Sequence, residues 1–291
     1  MPTVPESFAL ADAPALSLIA GAGRLPLLVA RSARAAGRHV HAIALHALSD
    51  PALEAEADAC EWLHLGEFAR LLAALQAAGA QQIALAGKVP KAFLWQHREA
   101  LKPDARALAL LGALEDRKDD SLLGAVADLL AAEGFALASQ LEVAPSLVAR
   151  VGRIAGREPT PEELADIAFG WPIARALGGL DVGQSVVVQG RAVLALEAIE
   201  GTDAAIARGL AFAERGKPAC AGKVAKPNQD PRFDVPVIGP ATVRAIAAGG
   251  GSALAVEAGR TLVLDREELA REAERAGIAV VGAGEPRGGV A

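Results

Sequence analysis

Short apolar runs alternate with amphipathic stretches along the first half of the chain. Three runs, each too short for a helix, predict buried strands at residues 16–20, 40–45 and 82–86. The amphipathic residues 25–36 and 66–78 predict helices between them. This alternation is typical of a parallel sheet with right-handed crossovers.

The first half ends with another amphipathic helix, predicted at residues 119–132. The polar segment Arg153–Glu163, rich in Gly and Pro, predicts a linker, and the chain that follows it has a different pattern. Two β-hairpins are predicted, one from residues 185–189 with 192–199 and one from residues 253–257 with 261–264. Further helices are predicted at residues 203–214, 240–248 and 266–276.

At about 150 residues per domain, a chain of 291 residues favours two domains. We expect an α/β protein with a Rossmann-like parallel-sheet domain at residues 16–145. A mixed α/β catalytic domain with β-hairpins is expected at residues 166–286. A linker at residues 146–165 would join them, and residues 1–15 would form a disordered extension.

Composition narrows the classes of function. Acidic and basic residues are interspersed and sum to a net charge of −6, which argues against the basic surface of a nucleic-acid-binding protein. The two cysteines lie far apart, so neither a disulfide framework nor a zinc site is expected. The first residues lack the basic start of a signal peptide, and no apolar run reaches the roughly 18 residues of a membrane span. We therefore expect a cytoplasmic protein.

Gly21-Ala22-Gly23 follows the first predicted strand and opens a helix. The free N–H groups of such a turn suit a phosphate, although any βα turn can hold glycines for its own geometry. Pro26 stands where a dinucleotide-binding fingerprint has its third glycine, so NAD binding is not expected. Lys88 follows the third predicted strand, at an edge where ligands bind to α/β sheets. A solvated lysine is the alternative there.

Two segments of the second half carry candidate chemistry. Thr202 and Asp203 lie where a hairpin strand ends and a helix begins; either could cap the helix, or both could supply oxygen ligands to Mg²⁺. Residues 223–236 form a polar, Pro-rich segment with two lysines, an arginine and two aspartates between apolar stretches. Its cations could bind an anionic substrate and Asp234 could hold a metal, whereas a solvated surface loop is the alternative.

Six segments occur in a fixed order along the chain: LIAGAGRLP, LAGKV, KDDSLL, GLDVGQSVVVQGRAVLALEAIEGTDA, KVAKPNQDPRFDVPVIG and AVEAGRTLVLDRE. Their order and spacing, from about Leu16 to Gly284, resemble the LpxI family, the UDP-2,3-diacylglucosamine pyrophosphatases of lipid A biosynthesis. The resemblance implies Mg²⁺-dependent hydrolysis of the pyrophosphate bond of UDP-2,3-diacylglucosamine. The products would be UMP and 2,3-diacylglucosamine 1-phosphate (lipid X).

The resemblance also implies a homodimer of two-domain subunits, with peripheral contact at the cytoplasmic face of the inner membrane. It places Asp234, in the family's FDxPxIG segment, at the metal or in water activation. Thr202 and Asp203 would then belong to the catalytic or metal shell. Lys226 and Gln229 would contact the diphosphate or its leaving group. Gly21, Gly23 and Lys88 would line the nucleotide or phosphate side of the substrate.

Two alternatives stay open. The chain could be another Mg²⁺-dependent nucleotide-sugar hydrolase on the same scaffold, or a non-catalytic regulator that binds a nucleotide without turnover. Turnover of a panel of UDP-sugars distinguishes the three hypotheses.

Overall fold

A computed structural model describes residues 15–79, 82–90, 93, 101–113, 119–227 and 229–284. The chain divides into two compact units. The first comprises the chain up to Ser146 together with Pro231–Phe233, and the second comprises Leu147–Asp230 and the chain from Asp234 onward. Apart from Ala15, the expected N-terminal extension lies outside the described residues. The expected domain boundaries stay a prediction.

The first unit is built on a five-stranded parallel sheet of order β3-β2-β1-β4-β5. Its strands are β1 (Leu16–Ala20), β2 (Val40–Leu45), β3 (Ala59–Leu63), β4 (Gln82–Ala86) and β5 (Ala136–Leu137). Its helices are α1 (Leu25–Ala35), α2 (Leu53–Glu56), α3 (Phe68–Ala77), α4 (Ala105–Ala113), α5 (Asp119–Ala132) and α6 (Gln140–Val143). The predicted parallel sheet is confirmed.

The core of this unit explains why three of its strands were predictable. Ile43, Ile83 and Leu130 are fully buried in one cluster with Leu63 and Leu75. Burial of each such side chain contributes about 1.5–3 kcal/mol, so apolar runs mark the inner strands. In contrast, β3 is a half-buried strand at the sheet edge with the mixed sequence ACEWL, and its pattern did not predict it.

The second unit is built on a six-stranded mixed sheet of order β6-β13-β11-β9-β7-β8. Its strands are β6 (Gly152–Gly156), β7 (Ser185–Gln189), β8 (Ala192–Leu196), β9 (Cys220–Lys223), β11 (Ala253–Glu257) and β13 (Ala279–Ala283). A separate parallel pair is formed by β10 (Val237–Ile238) and β12 (Leu262–Val263). The helices are α7 (Pro161–Gly179), α8 (Thr202–Leu210), α9 (Pro240–Ala248) and α10 (Arg266–Ala276).

Both faces of this sheet are covered. Along β7 the side chains alternate, so that Val186 and Val188 pack in a cluster with Trp171 of α7, while Val187 packs in another cluster with Ile206 of α8. This is the period-two alternation of a strand between two layers of helices. The predicted α/β class with a mixed second sheet is confirmed.

One predicted hairpin is present and the other is wrong. Strands β7 and β8 are antiparallel neighbours, as predicted. The predicted hairpin of residues 253–257 with 261–264 does not form, because β11 pairs in parallel with β9 and β13 and has no free edge for β12. The chain turns at Gly259, with a φ of +77°, and β12 pairs with β10 instead.

The expected linker at residues 146–165 contains regular structure. Strand β6 pairs antiparallel with β13. Thr160 then caps α7: its side chain accepts a hydrogen bond from the Glu163 N–H, and the Glu163 side chain accepts one from the Thr160 N–H. The Thr-Pro-Glu-Glu sequence, which looked like linker composition, is therefore a helix start with a capping box.

Candidate functional site

The turn after β1 is joined to the second residue after β4, at the carboxyl edge of the first sheet. The Ala22 N–H donates a hydrogen bond to Lys88 O (2.8 Å), and the Lys88 N–H donates one to Ala22 O (3.0 Å). A Cβ at Gly21 would lie 2.8 Å from Lys88 O, so this approach requires glycine. The Gly21 N–H donates to Ala86 O (2.8 Å). The N–H groups of residues 21 and 22 are therefore engaged in the backbone and are not donors for a phosphate.

The remaining predicted residues of this turn face outward. Gly23 has a φ of +97° and is exposed, with nothing within 4 Å of where a Cβ would stand. The side chain of Lys88 is also exposed. The structure thus brings Gly21, Gly23 and Lys88 together, with Lys88 as the cation that an anionic ligand would meet there. A solvated lysine stays the alternative.

Several strand ends of the second sheet meet at one edge. The parallel strands β9 and β11 end at Lys223 and Glu257. The antiparallel β7 starts there, because Ser185 pairs with Lys223. The residue after β8 is Glu197, whose N–H donates to Ser185 O (2.9 Å). Ligands bind at the carboxyl ends of strands in open α/β sheets, and this edge carries two acids and a lysine.

Thr202 lies at this edge and does not cap a helix through its side chain. The N-cap of α8 is Gly201, with a φ of +83°, and no side chain caps the helix, so the capping explanation is wrong. The Thr202 hydroxyl instead donates a hydrogen bond to Glu197 Oε1 (3.1 Å) and accepts one from Ser185 Oγ (3.4 Å). Because Glu197 is buried, this network fixes a carboxylate and a hydroxyl beside the end of β9.

Asp203, the next residue of α8, is exposed. An acid in the first turn of a helix is stabilised by the helix dipole. Nearby, a hydrogen bond from Arg208 lowers the pKa of the Glu200 carboxyl below its ordinary value. Two acids, Glu200 and Asp203, therefore lie at the start of α8.

Lys226 and Gln229 are brought together by reciprocal hydrogen bonds. The Lys226 N–H donates to Gln229 Oε1 (3.1 Å), and the Gln229 N–H donates to Lys226 O (3.2 Å). The Lys226 ammonium donates to Asp181 Oδ1 (2.7 Å), an aspartate that is itself largely exposed. The exposed end of this ion pair lies where a substrate anion could compete for the lysine.

Asp234 lies in a turn of the same segment. Its N–H donates to Asp230 O (2.9 Å), and its side chain is half-buried. Three residues further on, Val237 O accepts a hydrogen bond from the ammonium of Lys223 (3.0 Å), which is buried. The chain that follows Asp234 is therefore tied to the same edge of the second sheet.

Sequence reasoning missed two acids of this edge. Glu197 and Glu257 are buried acids, and Glu257 Oε1 accepts a hydrogen bond from Arg175 (2.9 Å) of α7. A signal was present: Leu194–Glu197 and Leu254–Glu257 both read Leu-Ala-x-Glu, an acid that ends an apolar strand. Such an acid is rarely buried without a partner, so the pattern predicts a fixed carboxylate.

The largest pKa shifts of the second unit lie at the opposite edge of its sheet. Burial raises the pKa of the Glu163 carboxyl, but hydrogen bonds from Arg157, Ser252 and Thr160 outweigh that effect and hold the pKa at about 2. Burial raises the pKa of the Cys220 thiol to about 12. Neither residue was predicted as functional, and both serve the fold here.

Two negative findings apply to the described part of the chain. It contains no group of three or more His, Cys, Asp and Glu side chains arranged to hold a metal ion. Among the same residues, none of the helices has the length and apolar character needed to cross a membrane.

Comparison with known proteins identifies the family. Residues 15–147 match the LpxI N-terminal domain, and residues 150–281 match the LpxI C-terminal domain. The chain is also 38% identical over 276 residues to a protein of Caulobacter vibrioides. This chain belongs to the LpxI family. The matched region covers 92% of this chain and 96% of the Caulobacter protein, which is named UDP-2,3-diacylglucosamine pyrophosphatase LpxI. The resemblance to LpxI is therefore confirmed.

Proposed function

We propose that this chain hydrolyses the pyrophosphate bond of UDP-2,3-diacylglucosamine in an Mg²⁺-dependent reaction of lipid A biosynthesis, releasing UMP and 2,3-diacylglucosamine 1-phosphate. The observation that carries the proposal is the full-length similarity to the Caulobacter pyrophosphatase. The carboxyl edge of the second sheet supports it, because acids, lysines and a hydroxyl meet where an α/β sheet binds its ligand.

The chemistry of the substrate matches this edge. A pyrophosphate diester carries two negative charges, and attack by water adds charge at one phosphorus, which cations and N–H donors stabilise. In the second unit we assign that task to Lys226, with Gln229 fixing its backbone. In the first unit, Lys88 is the residue we propose for a nucleotide or phosphate. Gly21 and Gly23 shape the turn beside Lys88 rather than donate through the Gly21 N–H.

The chemistry of two acids of the second unit supports a role for Mg²⁺. Asp234 and Asp203 offer carboxylate oxygens, the hard ligands that Mg²⁺ prefers, and Mg²⁺ is often held by one or two carboxylates together with substrate phosphates. A preformed cage of three protein acids is therefore not needed. When bound, the ion would neutralise the diphosphate and favour ionisation of a coordinated water.

The residues of the chain then have separate tasks. Asp234 would hold the metal or accept a proton at its carboxylate from the attacking water. Asp203 would offer a second carboxylate to the metal, and Thr202 would offer its hydroxyl, which is oriented by the buried Glu197. Lys226 neutralises the diphosphate as the bond to the leaving phosphate breaks.

The lipid part of the substrate has a counterpart on the same edge. Leu180, Val182 and Ile199 are exposed on the loops that flank it, with Ile199 fully exposed. Apolar side chains beside a polar site suit an amphiphile that carries two acyl chains. We propose peripheral contact with the cytoplasmic face of the inner membrane, in a homodimeric enzyme, and no nucleic-acid partner.

The test is release of UMP from UDP-2,3-diacylglucosamine by purified protein with Mg²⁺ or with EDTA. We expect release only with Mg²⁺, and its loss in Asp234→Asn. The control Asp128→Asn, which changes an exposed carboxylate on α5, should keep activity. Turnover of other UDP-sugars alone would favour a different nucleotide-sugar hydrolase. Nucleotide binding without turnover of any substrate would overturn the enzymatic proposal.

A further inference from the structure

Glu257 is a buried carboxylate that joins three parts of the second unit. It ends β11, and only 3% of its side chain is exposed. Oε1 accepts a hydrogen bond from Arg175 Nη2 of α7 (2.9 Å) and lies 3.7 Å from Arg260 Nη1. Oε2 accepts a hydrogen bond from the Ala225 N–H (2.8 Å). A buried acid with these partners is a fixed point in the structure.

The contact with Ala225 extends the sheet beyond its last backbone pair. The pairing of β11 with β9 ends at Val256 and Lys223. Past that pair, the side chain of Glu257 takes the place of a strand carbonyl and accepts the next available N–H. Ala225 directly precedes Lys226, so the position of Glu257 determines where the backbone of Lys226 begins.

Arg260 holds the other side of Lys226. Its Nη2 donates a hydrogen bond to Lys226 O (3.4 Å), while its Nη1 faces Glu257. Arg260 therefore links the carbonyl of Lys226 to the carboxylate that binds the N–H before it. Helix α7 adds a steric support, because a Cβ at Gly178 would lie 3.4 Å from the Cα of Lys226. Each of these contacts restricts the backbone of Lys226 while the ammonium end of its side chain remains outside this network.

We infer that Glu257, acting with Arg175 and Arg260, is a positioning residue that fixes Lys226 for the substrate diphosphate. The inference rests on the proposed function for its substrate, but the holding of Lys226 is a property of the second unit alone. Glu257 itself touches no reacting atom in this scheme. The negative charge of Glu257 matters because the guanidinium groups of Arg175 and Arg260 share its carboxylate. A glutamine at this position would turn its N–H donors towards one of these guanidinium groups, which is itself a donor.

The test compares Glu257→Gln with Glu163→Gln. Glu163 is an equally buried acid paired with an arginine in the same unit, at the opposite edge of the sheet. We expect Glu257→Gln to lower kcat/KM about 100-fold, the scale for a misplaced catalytic group. Glu163→Gln should stay within about twofold of wild type once both variants are assayed below their unfolding temperatures. Equal losses in the two variants would show a merely structural role and overturn the inference.

A double-mutant cycle tests whether Glu257 acts through Lys226. In a Lys226→Met background, Glu257→Gln should lower kcat/KM by no more than about threefold, because the lysine it positions is already gone. A full additional loss would overturn the inference. Should Glu257→Gln not fold, Arg260→Lys serves instead: it keeps the charge at a half-exposed site but loses the fork that bridges Glu257 and Lys226. It should then show the same non-additivity.

Hydrogen exchange gives a readout that does not depend on turnover. The backbone amides of the peptide covering residues 224–227 should exchange faster in Glu257→Gln than in wild type. In Glu163→Gln their exchange rate should equal that of wild type. Unchanged exchange in Glu257→Gln would overturn the inference whatever the activity. If wild-type protein fails to hydrolyse UDP-2,3-diacylglucosamine, the proposed function fails, and exchange alone decides whether Glu257 holds Lys226.

Discussion

Glu163 provides the sharpest stability prediction of the second unit. Its carboxylate is fully buried at the first turn of α7 and accepts hydrogen bonds from Arg157 Nη1 (2.7 Å) and Nη2 (2.6 Å). It also accepts one from the Thr160 N–H (2.8 Å), which completes the capping box. Replacement by Gln keeps the shape and one acceptor oxygen but removes the charge that the guanidinium binds in two places.

The magnitude follows from the pKa of the Glu163 carboxyl, which the fold lowers from 4.5 to about 2. A shift of that size corresponds to about 3 kcal/mol of unfolding free energy at neutral pH. Two effects reduce the cost of Glu163→Gln: the side chain of Arg157 is 38% exposed and can be hydrated, and a Gln can still accept from the Thr160 N–H. We therefore expect a loss of about 2–3 kcal/mol.

The sign of the pH dependence is fixed by the same shift. The folded pKa lies below the unfolded one, so the stabilisation is complete above about pH 4.5 and is lost as the pH falls towards 2. The difference in unfolding free energy between wild type and Glu163→Gln should therefore be about 1 kcal/mol smaller at pH 3.5 than at pH 7.

The assay is urea unfolding at both pH values, followed by the fluorescence of Trp171. Trp171 is buried in the core of the second unit, and Trp62→Phe with Trp95→Phe removes the other two indoles of the chain, so the signal reports on that unit. A difference of the same size at pH 7 and at pH 3.5 would refute the reasoning, because a charge-independent packing loss does not titrate.

Three further predictions concern single side chains. Thr202→Val removes the hydroxyl bonded to the buried Glu197 and should lower kcat about tenfold, with recovery in Thr202→Ser, measured by steady-state kinetics. Gly156→Ala should lower the unfolding free energy by at least about 2 kcal/mol, because its φ is +66° and a Cβ would lie 1.9 Å from the carbonyl oxygen before β13. Gly250→Ala, strained but unobstructed, should cost less in the same urea titration. Cys220, buried with a thiol pKa of about 12, should resist maleimide until urea unfolds the unit, whereas rapid labelling of the folded protein would contradict its burial.

Apolar periodicity predicted the elements of the first unit because burial decides them. The strands at residues 16–20, 40–45 and 82–86 and the helix at residues 119–132 have the predicted bounds. Elements with mixed composition were not predictable in this way. β3 lies half-buried at a sheet edge, and β6 is held to β13 by backbone hydrogen bonds that any side chain allows.

The wrong hairpin shows where local pattern loses information. Residues 253–257 and 261–264 are two apolar runs joined by a glycine turn, which is the local pattern of a hairpin. The outcome was decided by β9 and β13, which occupy the two edges of β11. Neither strand is next to β11 in the sequence: β10 and α9 separate β9 from it, and β12 and α10 separate β13 from it. Pairing partners depend on the whole sheet, so a local pattern cannot exclude the alternative pairing.

The predicted site residues were recognisable in the sequence as motifs. The residues that position them were not recognisable in this way. Asp234, Lys226 and Gln229 lie in one polar segment that stands out between apolar stretches. Thr202 was also recognisable, but its partner is an acid at the end of an apolar strand rather than the helix backbone. The fixed backbone and the orienting carboxylates appear only when strands from different parts of the chain end at one edge.

The two buried acid–arginine pairs of the second unit show why burial alone does not mark a site. The carboxylates of Glu163, paired with Arg157, and of Glu257, paired with Arg175, are similarly buried. They differ in what the second carboxylate oxygen binds. In Glu163 that bond closes a capping box at a helix start, whereas in Glu257 it reaches the N–H before Lys226, in the polar segment that contains Asp234. The same interaction should therefore act on stability at one edge of the sheet and on turnover at the other, which is the contrast that the paired Gln variants measure.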